Sequence, residues 1–345
     1  MKNIQILDCT LRDGGYVNNN TFGKKNIKKI ITYLENCGID IIECGYIMDD
    51  INNNEDKTEY SSFDNFIKEC SIKPQENLTY ALMLLGEKYN ISNLPQCKND
   101  NINTIRMTFH KKNIKKAIEY AKKIIKKGYR LYMQPTVIMN YSDDEIVAMI
   151  KTFNDELDIE AIAIVDTFGE MTTKDIIHVT KLFDDNLKPS TKLAFHSHNN
   201  LQMAFSNAVT FIETIREDRP IVIDSSIYGM GRGAGNLPTE LIASYLNTNY
   251  NKKYNITPLL EATDNIIEKI KEKENWGYSL PYYLSAIYSC HPSYIIYLLN
   301  KKMINNNDIH NIIKMISKDK KVEFDKEYIT ELYQVYNSND MDDKE

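Results

Sequence analysis

Residues 161–200 read AIAIVDTFGEMTTKDIIHVTKLFDDNLKPSTKLAFHSHNN. The stretch opens on a short apolar run, Ala161–Thr167. It passes through Thr172-Thr173-Lys174-Asp175, which has the form of a helix N-terminal cap, and closes on a second run, Lys192–His198. A strand, a returning helix and a second strand at this spacing make the unit from which parallel sheets are built.

The same unit recurs in both directions. Strand-like runs occupy Ile4–Cys9, Asp40–Gly45, Leu78–Leu85, Thr104–Phe109, Arg130–Ile138 and Ile221–Ile227, and successive runs start 26 to 38 residues apart. They are almost continuously apolar rather than alternating, as parallel strands covered by helices on the outside should be. Between them Ile27, Ile30, Ile31 and Leu34 make one helical stripe that stops at Cys37-Gly38. Ile114, Ala117, Ile118, Ala121, Ile124 and Ile125 make another, which ends at Gly128. Ser142-Asp143-Asp144-Glu145 forms a further cap. Eight units by about residue 250 predict an α/β fold, a (β/α)8 TIM barrel over residues 1–250, in preference to an open doubly wound sheet. From Pro258 the pattern is helical, which predicts a C-terminal extension over residues 251–336 and a disordered tail at 337–345.

Composition agrees with a soluble enzyme. Of 345 residues, 42% are apolar and 26% charged, enough to bury a sizeable core. The net charge of −6 gives no reason to expect nucleic acid. No run is long and apolar enough to span a membrane, and a strand pattern beginning within a few residues of Met1 leaves no room for a signal peptide. Six cysteines scattered without C-x-x-C spacing fit a reducing, cytoplasmic setting.

In such a barrel the chemistry gathers at the C-terminal ends of the strands. Polar residues cluster there: Asp8 to Gly15, Glu43, Arg106, Gln134, Asp166-Thr167, His196 to Asn200, and Asp224 leading into Gly229 to Asn236. His196-x-His198 is the strongest signal, since residues i and i+2 of a strand share a face and two imidazoles then converge. They are either metal ligands or a hydrogen-bonded structural pair. Asp13 could supply a third ligand, and one carboxylate with two imidazoles leaves open positions suited to Mn²⁺ or Mg²⁺. Arg12 reads either as half of a surface ion pair or, ahead of Gly14-Gly15, as a ligand-facing group. The glycine run at 229–235 does not match G-x-G-x-x-G and follows the last strand, so a loop closing on a substrate anion fits it better than a dinucleotide loop. Trp276 to Pro292, WGYSLPYYLSAIYSCHP, either packs on the barrel or brings a tyrosine or His291 over its mouth.

LDCTLRDGG near the start, HSHNN on the seventh strand and GMGRGAGN after the eighth together resemble the DRE-TIM metallolyase (HMGL-like) superfamily, over roughly residues 4–240. The resemblance is nearest to the 4-hydroxy-2-oxovalerate aldolase-like proteins, whose LRDG this chain shares. It implies a divalent metal held by Asp13, His196 and His198, with Asn236 as a further ligand in some members, and Arg12 stabilising an enolate oxygen. It implies chemistry that makes or breaks a carbon–carbon bond beside a metal-chelated carbonyl. The small-molecule substrate is then a 2-oxo acid, with Glu43, Arg106, Gln134, Asp166, Thr167 and His291 as candidate substrate-binding residues. Those aldolases carry a histidine base where this chain has Tyr16, so Tyr16, a water or His291 must handle the hydroxyl proton. Their C-terminal helices hold a dehydrogenase, so an aldehyde-dehydrogenase-type or homo-oligomeric partner is possible here. Two other functions fit less well. A Claisen-type acyltransferase condensing acetyl-CoA with a 2-oxo acid needs a CoA site and, where regulated, a further domain. A non-catalytic metal-binding relative would have no use for Arg12.

Overall fold

A computed structural model of the chain describes residues 2–49, 51, 54–73, 75–86, 88–98, 102–301 and 304–342. Its centre is a closed barrel of eight parallel strands: β1 (Ile4–Asp8), β2 (Ile41–Ile47), β3 (Thr79–Leu85), β4 (Thr104–Phe109), β5 (Arg130–Pro135), β6 (Ala161–Asp166), β7 (Lys192–Ser197) and β8 (Ile221–Ser225). Closure comes from β1, which pairs Leu7 with Ile41 on one side and Ile4–Asp8 with Ile221–Ser225 on the other. Seven helices cover the outside: α1 (Lys24–Cys37), α2 (Phe63–Cys70), α3 (Ile114–Lys126), α4 (Asp143–Glu156), α5 (Thr173–Asn186), α6 (Ala204–Thr214) and α7 (Thr239–Tyr250).

Local chemistry explains the boundaries. The Ser142 hydroxyl accepts from the Glu145 N–H while Glu145 accepts from the Ser142 N–H, which fixes the start of α4. Asp175 accepts both the N–H and the hydroxyl of Thr172 at the start of α5. The run expected as a strand through Ile138 ends at Pro135, because Val137 adopts a left-handed conformation (φ 54°) and a 3-10 turn follows at Ile138–Asn140. A two-residue strand, Glu59–Tyr60, pairs with the end of β2 and was too short to leave a periodic signature.

The barrel interior is filled in layers, and its parity positions the site. Leu7, Ile41, Tyr132, Ala161, Ala163, Ala194 and Val222 share one apolar interior cluster, in which alanines make room around Tyr132. Two residues further along the same strands stand Glu43, Gln134, His196 and Asp224, all buried. The apolar layer therefore forms the floor beneath a polar one.

Beyond α7 the described residues hold only helices. The helix α8 (Thr257–Ala262) continues through a π turn at Thr263–Ile267 into α9 (Glu268–Lys271). Its Leu259, Ala262, Ile266 and Ile267 join the core around the barrel, as does Trp276. From there α10 (Leu280–Ile287), α11 (Pro292–Leu299), α12 (Asn306–Met315) and α13 (Lys326–Asp342) bury a separate cluster that includes Tyr294, Leu298, Ile312 and Ile329. Residues 337–342, expected as a disordered tail, continue α13. That helix is anchored on Ile329, Leu332, Tyr333 and Tyr336 at helical spacing, and residues 343–345 lie outside the described ones. No described helix is long and apolar enough to cross a membrane.

Candidate active site

Asp13 owes its place to a tight turn after β1. The carbonyl of Cys9 accepts the N–H groups of Arg12 (3.0 Å), Asp13 (2.8 Å) and Gly14 (3.3 Å), which aims both side chains into the barrel mouth. His196 at the end of β7 and His198 just past it share one face, their rings 5.0 Å apart and nearly perpendicular. Ligand atoms of Asp13, His196 and His198 all lie within 4.8 Å of one another, and all three residues are buried.

The hydrogen bonds around the two imidazoles choose between the metal and structural readings. His196 Nδ1 bonds Asp224 Oδ2 at 2.9 Å, and His198 Nδ1 bonds the Asp166 carbonyl at 2.9 Å. A carbonyl can only accept, so His198 carries its proton on Nδ1 and presents the Nε2 lone pair, which lies 3.4 Å from Asp13 Oδ2. Tying Nδ1 to a carbonyl or carboxylate is the usual way in which a metal-binding imidazole is held in the right tautomer. Burial, only partly opposed by Asp224, lowers the His196 pKa and keeps that ring neutral, as a ligand must be. Burial pushes the Asp13 carboxyl up, but the Arg12 guanidinium beside it outweighs this and holds Asp13 well below the usual carboxylate range.

Asn236 closes the fourth side. Its Nδ2 donates to Asp13 Oδ2 (2.8 Å) and to the Met230 carbonyl (3.1 Å), while its Oδ1 is buried without a partner. An unpartnered buried amide oxygen, on a side chain whose nitrogen bonds Asp13, is a group that a divalent cation would satisfy once the amide turned over. The glycine loop makes this packing possible. A Cβ on Gly231 would overlap the Asn236 amide, and one on Gly235 (φ 82°) would overlap the Gly229 carbonyl.

Beneath this cluster lies a charged network. Arg12 Nε donates to Glu43 Oε2 (2.7 Å) and one terminal nitrogen pairs with Asp13, leaving the other terminal nitrogen with no partner among the described residues. Arg106, wholly buried, bonds the same Glu43 oxygen (2.7 Å), Gln134 Oε1 (3.1 Å) and Asp224. Three carboxylates (Asp13, Glu43, Asp224) against two guanidiniums leave one unmatched negative charge, again in favour of a cation. Asp224 stands in the sequence among the polar residues at the strand ends but is given no role there. Its signal was its parity, since it is the inward residue after Val222 on β8.

The remaining candidates separate. The Asp166 carboxylate turns into its own loop to accept the N–H groups of Glu170 and Met171, and burial raises its pKa to about 7; only its backbone carbonyl serves the centre. Thr167, Tyr16 and His291 line a cavity of about 450 Å³ at the ends of β3 to β6, together with Lys88, Thr136, Arg232 and Phe324. Tyr16 is 44% exposed, and the Arg232 guanidinium lies 5.0 Å above its ring. His291 caps α11, its Nδ1 accepting the Ser293 N–H (3.2 Å). Of the aromatic string, Trp276 packs in the core and donates to the Tyr228 carbonyl, while the Tyr282 carbonyl accepts from Asn200. This stretch braces the glycine loop, and His291 alone of the residues named from it reaches the cavity.

Residues 97–266 match the HMGL-like family model. The chain is similar to the 4-hydroxy-2-oxovalerate aldolase of Geobacillus genomosp. 3, 25% identical over 248 residues, which cover 71% of this chain and 70% of that protein. It is similar also to that of Thermomicrobium roseum, 24% identical over 275 residues covering 77% and 73%. Among solved structures, the N-terminal domain of a Bacteroides vulgatus protein provisionally assigned as an aldolase superposes with a TM-score of 0.72 at 26% identity, over 86% of this chain and 97% of that one. The HMG-CoA lyase of Brucella melitensis shares the fold, with a TM-score of 0.60 at 14% identity over 76% and 96%.

Proposed function

With an HMGL-like domain of the DRE-TIM superfamily as premise, we propose that this chain is a divalent-metal-dependent carbon–carbon lyase. It would cleave a 4-hydroxy-2-oxo acid to pyruvate and an aldehyde, or condense the two. The observation that carries this reading is the convergence of two imidazole Nε2 edges on Asp13, beside an arginine with a free terminal nitrogen. Asp13, His196 and His198, with Asn236 Oδ1, would hold Mn²⁺ or Mg²⁺, and the cation would supply Lewis acidity to a chelated 2-oxo acid.

The protein's own groups do the rest. Cleavage breaks the C3–C4 bond: the C4 hydroxyl gives up its proton and becomes the aldehyde carbonyl, and the bonding pair moves toward C3 as charge develops on the C2 oxygen. Arg12, clamped by Glu43 and Asp13, offers its remaining terminal nitrogen to that oxygen. Protonation at C3 completes pyruvate. Tyr16, three residues beyond Asp13 and on the cavity wall, is the group proposed to exchange the hydroxyl proton. Glu43, Arg106, Gln134 and Asp224 are positioning residues that fix Arg12 and His196, and Thr167 and His291 face the aldehyde half. The all-helical extension among the described residues favours this reading over a regulated acyltransferase.

The test is purified protein with Mn²⁺ and racemic 4-hydroxy-2-oxopentanoate, pyruvate being followed by coupled reduction. Pyruvate release supports the lyase. Release of free CoA from acetyl-CoA and a 2-oxo acid, without pyruvate release, would replace it with the acyltransferase.

A further inference from the structure

The mouth cavity is cationic among its described lining residues. Its lining holds Lys88 and Arg232 and no carboxylate; the rest is His110, His291, three threonines, Tyr16 and apolar side chains. Neither Lys88 nor Arg232 makes an ion pair among the described residues. Arg232 lies over the Tyr16 ring at 5.0 Å, and its Nε is buried with no hydrogen-bond partner. The two histidines add donors rather than balancing charge. His110 Nδ1 is engaged with the Thr136 hydroxyl (2.9 Å), and His291, whose Nδ1 accepts from the Ser293 N–H, keeps its proton on Nε2. Acidic residues are near in sequence and fold, but they face elsewhere. Glu323 and Asp325 line an adjoining outer groove of about 900 Å³, which shares His110, Thr136, Val137, Val322 and Phe324 with the cavity, and there they pair with Lys112 and Lys320.

A buried guanidinium nitrogen left unbonded is costly, and an arginine presented this way is suited to a carboxylate or phosphate, which can take two of its donors at once. The volume points the same way, because about 450 Å³ accommodates far more than a two-carbon aldehyde. Arg232 also stands on the glycine loop after β8, whose backbone is braced by Trp276 bonding the Tyr228 carbonyl and Gly277 bonding the Gly233 carbonyl, while its guanidinium lies over Tyr16, so its position is set before any ligand arrives.

Resting on the lyase reading above, we propose that the aldehyde half of the substrate carries an anionic group, a carboxylate or a phosphate, which Arg232 binds with Lys88 at the rim of the cavity. The reaction is unchanged: C3–C4 breaks, the C4 hydroxyl proton is lost to the protein, and pyruvate leaves with an anionic aldehyde in place of acetaldehyde.

Condensation of pyruvate with matched aldehydes tests this. Butanal, succinate semialdehyde and glyceraldehyde 3-phosphate are compared by kcat/KM on the Mn²⁺-loaded protein. At least one anionic aldehyde should exceed butanal by about tenfold or more, since a site built for a polar group rejects analogues lacking it. Which anion wins separates carboxylate from phosphate. The ratio should collapse in Arg232→Gln and be partly kept in Arg232→Lys, a pattern that a loop-folding role for Arg232 would not produce. Equal or better use of butanal by the parent, or an undiminished ratio in Arg232→Gln, overturns the proposal. Two controls keep it separable from the lyase reading. Deuterium exchange into the pyruvate methyl group, with no aldehyde present, tests that reading alone: exchange without anion preference sinks only the proposal, and no exchange sinks both. Calorimetric titration of metal-free protein with succinate and with inorganic phosphate should show binding by the parent that Arg232→Gln loses; no binding of either by the parent contradicts the site.

Discussion

The centre of the barrel and its mouth lie at the same end of one fold and are built on opposite principles. At the centre the charged groups are tied to one another: Glu43 joins two arginines, Asp224 joins Arg106 to His196, and the Asp166 carbonyl fixes His198, although Glu43 Oε1, Arg106 Nε, Gln134 Nε2 and Asp224 Oδ1 stay without hydrogen-bond partners. At the mouth, a half-exposed tyrosine, an arginine with an unbonded nitrogen and an exposed lysine face open space. A network of buried ion pairs holds its side chains to one geometry, which in the proposed function suits a step shared by every 2-oxo acid. An open wall with unspent donors distinguishes one aldehyde from another. In the proposed function, reaction type belongs to the centre and choice of substrate to the mouth.

Substitutions can break that division. Asp13→Asn and His196→Ala should have the largest effect, removing the metal outright and activity with it. Metal content measured after dialysis against Mn²⁺ checks this, and full occupancy in both variants would contradict the ligand assignment. Arg12→Lys keeps the charge but loses the planar fork that reaches Glu43, Asp13 and substrate together. Turnover should fall by about 100- to 1000-fold, with metal occupancy retained; turnover within about threefold of the parent makes Arg12 structural. Tyr16→Phe should reduce cleavage by about 100-fold, the usual scale of a proton-transfer group, again with metal bound. Near-normal cleavage there moves the proton elsewhere and leaves Tyr16 as the platform under Arg232. Asp224→Asn should weaken metal affinity by about 10- to 100-fold, as loss of a partner that orients a ligand does, and an unchanged Mn²⁺ titration would detach Asp224 from the centre.

The smallest effect belongs to the mouth and is a matter of pH. Burial, helped by Arg232 and His110, holds the His291 pKa well below the ordinary histidine value. A depressed histidine favours the neutral form in the folded state. Its contribution to stability is present above the ordinary value of about 6.5 and is lost as pH falls below it. Melting temperatures of metal-free protein between pH 7.5 and 5 should therefore drop more for the parent than for His291→Asn, which keeps a capping side chain. Parallel curves would show that His291 does not sense the positive mouth.

The same division governs what the sequence disclosed. The strands were legible because β-branched runs recur at a helix-plus-strand interval, and the convergence of His196 with His198 was legible because a strand puts both on one face. Glu43, Arg106 and Gln134 were legible as inward residues at strand ends, but their mutual bonding was not, since it depends on the register between strands far apart in sequence. Asp166 marks the limit of such reading. Its position at a strand end suggested a substrate contact, while the turn that follows it recruits the carboxylate and leaves only the carbonyl for His198. Arg232 and Lys88 were the least visible, because their meaning lies in having no ion-pair partner among the described residues around a cavity that the C-terminal segment at Val322 and Phe324 helps to enclose.

The central claim is that one divalent cation, held by Asp13, His196 and His198, makes a 2-oxo acid acidic next to its carbonyl. Exchange of pyruvate methyl protons for deuterium, followed by NMR while metal-stripped protein is titrated with Mn²⁺, measures this without any assumption about the aldehyde. The account predicts no exchange before metal is added, exchange that saturates at one Mn²⁺ per chain, and none at any Mn²⁺ concentration in Asp13→Asn. Exchange that is independent of metal, or that survives in Asp13→Asn, would contradict it.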